Sequence, residues 1–228
     1  MAFELNGLYW HNEYWKKDKN YHLNKTEKCE NKGIKLIHIF EDEWYGKKEI
    51  VKSNIKNLLS CNERIIHEIE CDIQELNHKE SKHFLNKNHI EGDVESEHRF
   101  GLIIGNKIVS VIVFGNKTED NSYELLRHCN KLNTSVIGNN SKLLNHFIET
   151  VKPKEITVNV DRRWGSGEQY GQLGFKFIEN TEVNHYYVQG VKRKKPSTFE
   201  SEIEHEFMLN KGIYRIYDCG NKLYKLSL

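Results

Sequence analysis

The chain has 228 residues, 37% hydrophobic, 29% charged and 11% aromatic, a length suited to one large domain or two small ones. Its aromatic share argues against disorder, no apolar run approaches the ~18 residues of a membrane span, and no signal peptide is present, so a cytoplasmic protein with no membrane partner is expected. A net charge of +1 does not by itself mark a nucleic-acid binder. Cys29, Cys61, Cys71, Cys129 and Cys219 are odd in number and lack C-x-x-C spacing, which argues for free thiols and against disulfides or a zinc site.

Residues 2–10 alternate as a strand with Gly7 in a turn region, an arrangement that delivers Glu4, Asn6, Trp10 and His11 to one end. A strand starting at residue 2 leaves no room for an element before it. A helix is expected over 20–32, stopping at Gly33, followed by a strand from Ile34 to Phe40. That strand is apolar on both faces except at His38, so it reads as central, with His38 a satisfied buried histidine. It runs into the acidic cluster Glu41-Asp42-Glu43, where Glu43 can cap the following helix. Ile50, Val51, Ile55, Leu58 and Leu59 recur at helical spacing, and residues 61–80 read as a short strand and linker.

The second half has another rhythm. Phe84 and Leu85 fall on a short helix before Gly92, and GLIIGNKIVSVIVFGN is a hairpin turning at Gly105-Asn106. A strand over 123–130, an amphipathic helix from Ser141 to Glu149, an alternating strand through Ile156, Val158 and Val160, and a short helix from Gly167 to Leu173 follow. Phe175–Ile178 and His185–Val188 read as a last strand pair. Three units are expected: 1–75, 76–190 and a basic extension, 191–228, ending in a strand or hairpin.

Local charge is more telling than net charge. Lys16 and Lys17 lie beside Tyr14 and Trp15, Arg162 and Arg163 precede Trp164, and Lys192, Arg193, Lys194 and Lys195 form a run. Cations interleaved with aromatics suit a phosphate backbone and stacked bases; the plain alternative is a set of solvated loops. Tyr9 and Trp10 read as core.

FELNGLYWH, the helix carrying Tyr21, His22 and Lys25, and KLIHIFEDEW together resemble the very-short-patch-repair (Vsr-like) branch of the restriction-endonuclease fold, closest to its phage, Hef-like homing endonucleases. The resemblance covers roughly residues 2–60. It implies a catalytic set of His11, Glu41 and Glu4, with Glu4, Glu41 and Asp42 holding Mg²⁺ to hydrolyse a phosphodiester of double-stranded DNA, and DNA contacts from Lys16, Lys17 and Lys25. In that family the principal metal-binding aspartate lies on a preceding strand, which this chain starts too late to include. Three outcomes stay open: an impaired nuclease, metal held without that aspartate, or the missing strand supplied by a separate chain.

From residue 100 to 188 the order hairpin, strand, loop, helix, strand, short helix, strand resembles the GNAT acyltransferase fold. In that fold the loop held here by SVIGNN presents backbone N–H groups to the pyrophosphate of acetyl-CoA, with Gly138 its one remaining glycine. EQYGQLGFKF matches the late helix and strand, placing Tyr170 where a tyrosine lies near the acyl sulfur. Arg127, Asp161 and Tyr170 together resemble the Mom-like, DNA-modifying branch.

The expected fold is therefore α/β: a partial Vsr-like α/β module followed by a GNAT-like α+β domain with a mainly antiparallel sheet. The leading expectation is a phage-type, mobile-element endonuclease. The alternatives are an acyl- or carbamoyl-type transferase acting on a nucleobase, and a non-catalytic DNA-binding protein in which Arg162, Arg163 and Trp164 meet phosphate and base.

Overall fold

The computed structural model describes residues 1–196 and 202–228, so residues 197–201 of the expected basic extension lie outside the described residues. In chain order, β1 (Ala2–Asn6) leads into a one-turn helix, α1 (Leu8–His11), then α2 (Tyr21–Glu30), β2 (Leu36–Phe40), α3 (Glu41–Gly46) and α4 (Lys48–Leu58). Next come β3 (Arg64–His67), a 3₁₀ turn (Glu68–Glu70), β4 (Asp72–Glu75), α5 (His78–Asn88), β5 (His98–Ile104), β6 (Lys107–Gly115), β7 (Ser122–Asn130), β8 (Thr134–Ile137) and α6 (Asn139–Val151). The rest is β9 (Glu155–Asp161), α7 (Glu168–Gln172), β10 (Lys176–Asn180), β11 (His185–Gln189), β12 (Lys192–Lys194), α8 (Glu202–Asn210), β13 (Tyr214–Tyr217) and β14 (Asn221–Ser227).

Two compact units share these elements. The first holds residues 1–47, 160–166 and 179–222, and the second holds 48–159, 167–178 and 223–228. The chain passes between them five times. No cut at one or two points, such as the limits expected at 75 and 190, separates them.

In the first unit β1 and β2 form a two-stranded parallel sheet, with Glu4 opposite His38 and Asn6 opposite Phe40. A second sheet runs β12-β11-β13. Leu8, Phe40 and Ile216 make the core, with Tyr186 and Val188 packed on it. All of β2 is buried, as its apolar run requires, although it has one strand partner. The expected strand over 2–10 ends at Asn6. Leu8 turns inward to the core, and its N–H donates to Glu41 Oε2 at 2.9 Å, which starts α1. His11 therefore sits on a helical turn and not at a strand end.

In the second unit a seven-stranded sheet runs β10-β14-β9-β7-β6-β5-β4. Its pairs from β4 to β7 are antiparallel, and β7–β9 is parallel, joined through α6 as a crossover. β6 is buried on both faces, so its side chains divide between two layers. Val111 and Val113 pack with Phe84 and Leu85 of α5, while Phe114 stacks on Phe147 of α6 at 3.7 Å between ring centres.

Two local expectations change. Residues 64–75 are two strands, β3 pairing with the unforeseen β8 and β4 forming the sheet edge. β10 does not pair with β11: β10 lies beside β14, and β11 lies between β12 and β13. Asp218 fixes that parting of the chain by accepting from Asn184 N–H at 2.7 Å and Asn184 Nδ2 at 2.9 Å. No helix among the described residues is long and apolar enough to cross a membrane.

Candidate functional site

The first unit gathers the residues expected to form a nuclease, and it disperses their chemistry. Glu4 is bound by Lys25 and lies 3.3 Å from His38 Nδ1. Glu41 is held by the Leu8 amide. Asp42 takes Arg193 Nε at 2.9 Å and the Arg193 N–H at 3.1 Å. Glu43 accepts from Phe40 N–H, as a cap should, and also from Arg163 Nη1 at 2.8 Å and Arg193 Nη2 at 2.7 Å. These two guanidiniums hold its carboxyl down at about 2 against the opposing effect of burial. A carboxylate neutralised by its own partner is a poor ligand for Mg²⁺, which needs several oxygens converging on one point. Among the described residues no group of three or more His, Cys, Asp or Glu side chains could hold a metal ion.

Three histidines form a neutral array that the sequence hid. His22 Nδ1 donates to the Tyr217 carbonyl at 2.7 Å, so its Nε2 lone pair accepts from His11 Nδ1 at 3.0 Å. His38 meets Thr26 Oγ1 at 3.0 Å and Asn6 Nδ2 at 3.1 Å. Burial lowers all three, to about 3 for His22 and about 4 for His38. His38 is thus the satisfied core histidine its apolar strand implied.

The expected DNA contacts divide. Arg162 and Arg163 are buried, Arg162 on Glu30 at 2.8 Å and Arg163 on Asp161 at 2.7 Å, so neither faces a phosphate. Trp164 is half-buried. Arg193 is turned inward, while Lys192, Lys194 and Lys195 stay exposed. Tyr9 and Trp10 are 59% and 60% exposed and so are not core. They join Trp15 and Tyr14 in one cluster of ring contacts, with ring centres 4.8 to 5.7 Å apart. Lys17 lies over Tyr14 at 5.5 Å; Lys16 and Lys25 lie over Tyr21 at 4.8 and 4.5 Å.

The second unit offers a different geometry. β7 and β9 pair only from Ser122 with Glu155 to Leu125 with Val158, and then part. At the same point a bulge against β6 leaves Leu126 without a cross-strand partner. A bulge beside a splay bends the strand and leaves one edge of its backbone unladdered, an arrangement found next to ligand sites. Arg127 follows immediately, paired with Glu91 at 2.6 Å. Asn139, the first residue of α6, donates through Nδ2 to Asn130 Oδ1 at 2.7 Å, fastening the loop to the end of β7.

Gly138 has φ of +80°, the left-handed conformation glycine favours, and no side chain caps α6 behind it. The carboxylate of Glu68 stands where a Cβ on Gly138 would lie. Lys142 is spent on the Glu68 and Cys71 carbonyls, at 2.8 and 2.6 Å. The unladdered edge of β7 fits an extended, amide-bearing arm. The loop before α6 does not fit a pyrophosphate while Glu68 stands beside it, because both carry negative charge. Tyr170 is buried against Phe175 and Tyr224, and burial pushes its hydroxyl up to about 12. Asp161, in the first unit, is engaged by Arg163. Arg127, Asp161 and Tyr170 thus each have a local partner.

No family model matches the chain, and no curated protein does. Solved structures do. A Bacillus subtilis acetyltransferase in complex with CoA is 17% identical, covering 69% of this chain and 99% of its own, with a TM-score of 0.42. The IAA acetyltransferase of Bacillus cereus is 15% identical over 69% and 99%, TM-score 0.42. The ribosomal-protein-S18-alanine N-acetyltransferase of Escherichia coli is 13% identical over 69% and 93%, TM-score 0.44. The chain is an α/β protein with a mostly antiparallel sheet, and it carries the element order the GNAT resemblance implied. The expectation of a Mg²⁺-dependent endonuclease with a Vsr-like module is corrected. The carboxylates expected to share a metal are held by separate partners, Glu4 by Lys25, Glu41 by the Leu8 amide and Asp42 by Arg193.

Proposed function

We propose that the protein is a GNAT-type acyltransferase that seats the arm of a thioester donor along the unpaired edge of β7. The parting of β7 from β9 after Leu125 and Val158, with the bulge at Leu126, is the observation that carries this reading. Backbone N–H and C=O groups on such an edge need partners, and an amide-bearing arm lying as an extra strand supplies them. A bound donor would supply an activated carbonyl carbon for attack by an acceptor nucleophile. The chain's part is to align that arm, exclude water from it and hold a proton at Tyr170 Oη, which stays protonated at neutral pH. No step is assigned to the α6 loop, where Glu68 opposes a phosphate.

The test is calorimetric titration with acetyl-CoA, followed by thiol release. Saturable acetyl-CoA binding that excess pantetheine, the arm without its nucleotide, displaces supports the proposal. No binding by the wild-type protein, or binding indifferent to excess pantetheine, refutes it.

For the acceptor we propose DNA, on the exposed Tyr9, Trp10, Tyr14 and Trp15 cluster with Lys16 and Lys17 beside it. Aromatic faces stack on bases while lysines meet phosphate. All four tryptophans, Trp10, Trp15, Trp44 and Trp164, belong to the first unit, so quenching of their fluorescence by DNA reports on it directly. Saturable quenching that weakens with salt is expected. Fluorescence indifferent to DNA would remove this acceptor.

A further inference from the structure

We propose that the second unit holds a binding site for a phosphorylated small molecule at the turn of the β5–β6 hairpin, built from residues the transfer reading does not use. A cleft of about 440 Å³ opens there, within the range of small-molecule sites. Its floor is apolar, from Ile104 and the buried Val109, and its rim carries Arg64, Lys107 and Lys131.

The topology places these three cations together. Gly105, at φ +57°, closes a tight turn that sets Lys107 opposite Ile104. Lys131 follows β7 directly, and its N–H donates to the Val109 carbonyl at 2.8 Å. Arg64 opens β3, and its N–H donates to the Asn133 carbonyl at 3.2 Å, two residues beyond Lys131. Three segments distant in sequence therefore bring positive charge to one rim.

Charge accounting separates Arg64 from five other arginines. Arg99, Arg127, Arg162, Arg163 and Arg193 each hold a carboxylate. Among the described residues Arg64, Lys107 and Lys131 have no carboxylate partner. Three like charges around one cleft repel one another, and a multivalent anion relieves that repulsion while gaining charge-assisted hydrogen bonds. An arginine suits the planar, two-oxygen face of a phosphate, and the lysines add point charges. The apolar floor has no use for inorganic phosphate alone. It suits a flat, weakly polar ring, so the ligand class is a nucleotide with two or more phosphates.

Calorimetry with ADP, pyrophosphate and adenosine tests this on the full chain. ADP is expected to bind more tightly than either pyrophosphate or adenosine, and less tightly as salt rises. Lys107→Glu with Lys131→Glu should weaken ADP about a hundredfold, at roughly tenfold for each charge-assisted contact. Arg64→Gln alone should cost about tenfold on the same scale. These side chains are exposed, so circular dichroism should be unchanged. Gly138→Trp separates this site from the α6 loop, because ADP binding should survive it. No ADP binding by the wild-type protein, binding indifferent to the charge changes, or binding lost only in Gly138→Trp each overturns the proposal.

Discussion

Replacing Glu43 by alanine removes the one carboxylate that two buried guanidiniums share. Arg163 and Arg193 expose 3% and 8% of their side chains, and both donate to Glu43 Oε1. After the change Arg163 keeps Asp161 and Arg193 keeps Asp42, but each loses its better-buried anion. Removing one partner of a buried ion pair costs about 3–5 kcal/mol, and the lost cap on the Phe40 amide adds about 1 kcal/mol. Against a whole-domain stability of about 5–15 kcal/mol, the first unit should then be close to unfolding at room temperature. Urea titration followed by tryptophan fluorescence isolates that unit, because it holds every tryptophan. At a slope of about 2 kcal/mol per molar urea, the midpoint should fall by about 2 M, while far-ultraviolet circular dichroism retains a later phase from the second unit. The pH arm has a definite sign. Glu43 titrates near 2 in the folded chain against 4.5 when free, so its contribution is complete above pH 4.5 and is lost as pH falls towards 2. Glu43→Gln should flatten that stretch of the profile. A fluorescence midpoint unmoved by Glu43→Ala would refute the reasoning, showing that Asp161 and Asp42 alone satisfy both arginines.

The histidine array makes a second acid limb at higher pH. His22 and His38 stay neutral in the fold down to about 3 and 4, while the unfolded chain takes up protons below 6.5. Stability of the first unit should therefore fall from pH 6.5 downwards, by about 1.4 kcal/mol per pH unit for each histidine. His38→Gln should remove part of that slope in fluorescence-monitored unfolding. Gly167 has φ of +81° and would drive a Cβ into the Tyr224 ring, so Gly167→Ala should cost about 2–3 kcal/mol in thermal unfolding of the second unit. Glu68→Gln removes the negative charge beside Gly138, and acetyl-CoA affinity by calorimetry should rise about tenfold. Unchanged affinity would show that Glu68 does not oppose the donor.

Much of the fold was legible where the code is local. Gly105-Asn106 between two β-branched runs became the β5–β6 hairpin, and the amphipathic run around Leu143 and Phe147 became α6. Pairings between distant segments were not legible. β8 reads as a loop until β3 lies beside it, and β10 is claimed by β14, more than forty residues on. The His11–His22–Tyr217 chain likewise joins three elements whose sequences carry no common motif.

The acidic cluster misled for a geometric reason. Successive residues on a helix point about 100° apart, so Glu41, Asp42 and Glu43 at the start of α3 reach the Leu8 amide, Arg193 and the Arg163–Arg193 pair in turn. Adjacency in sequence is dispersal in space. The basic runs carried a usable signal within them. Arg162, Arg163 and Arg193 all turned inward onto carboxylates, while Lys17, Lys192 and Lys194 stayed at the surface. A guanidinium is more weakly hydrated than an ammonium and its flat fork matches a carboxylate, so burying it beside an acid costs less. In a chain with nearly as many acids as bases, an arginine in a mixed run is better read as half of an internal pair than as a contact for phosphate. Arg64 departs from that pattern, and it does so at the rim of a cleft with two further unpaired cations.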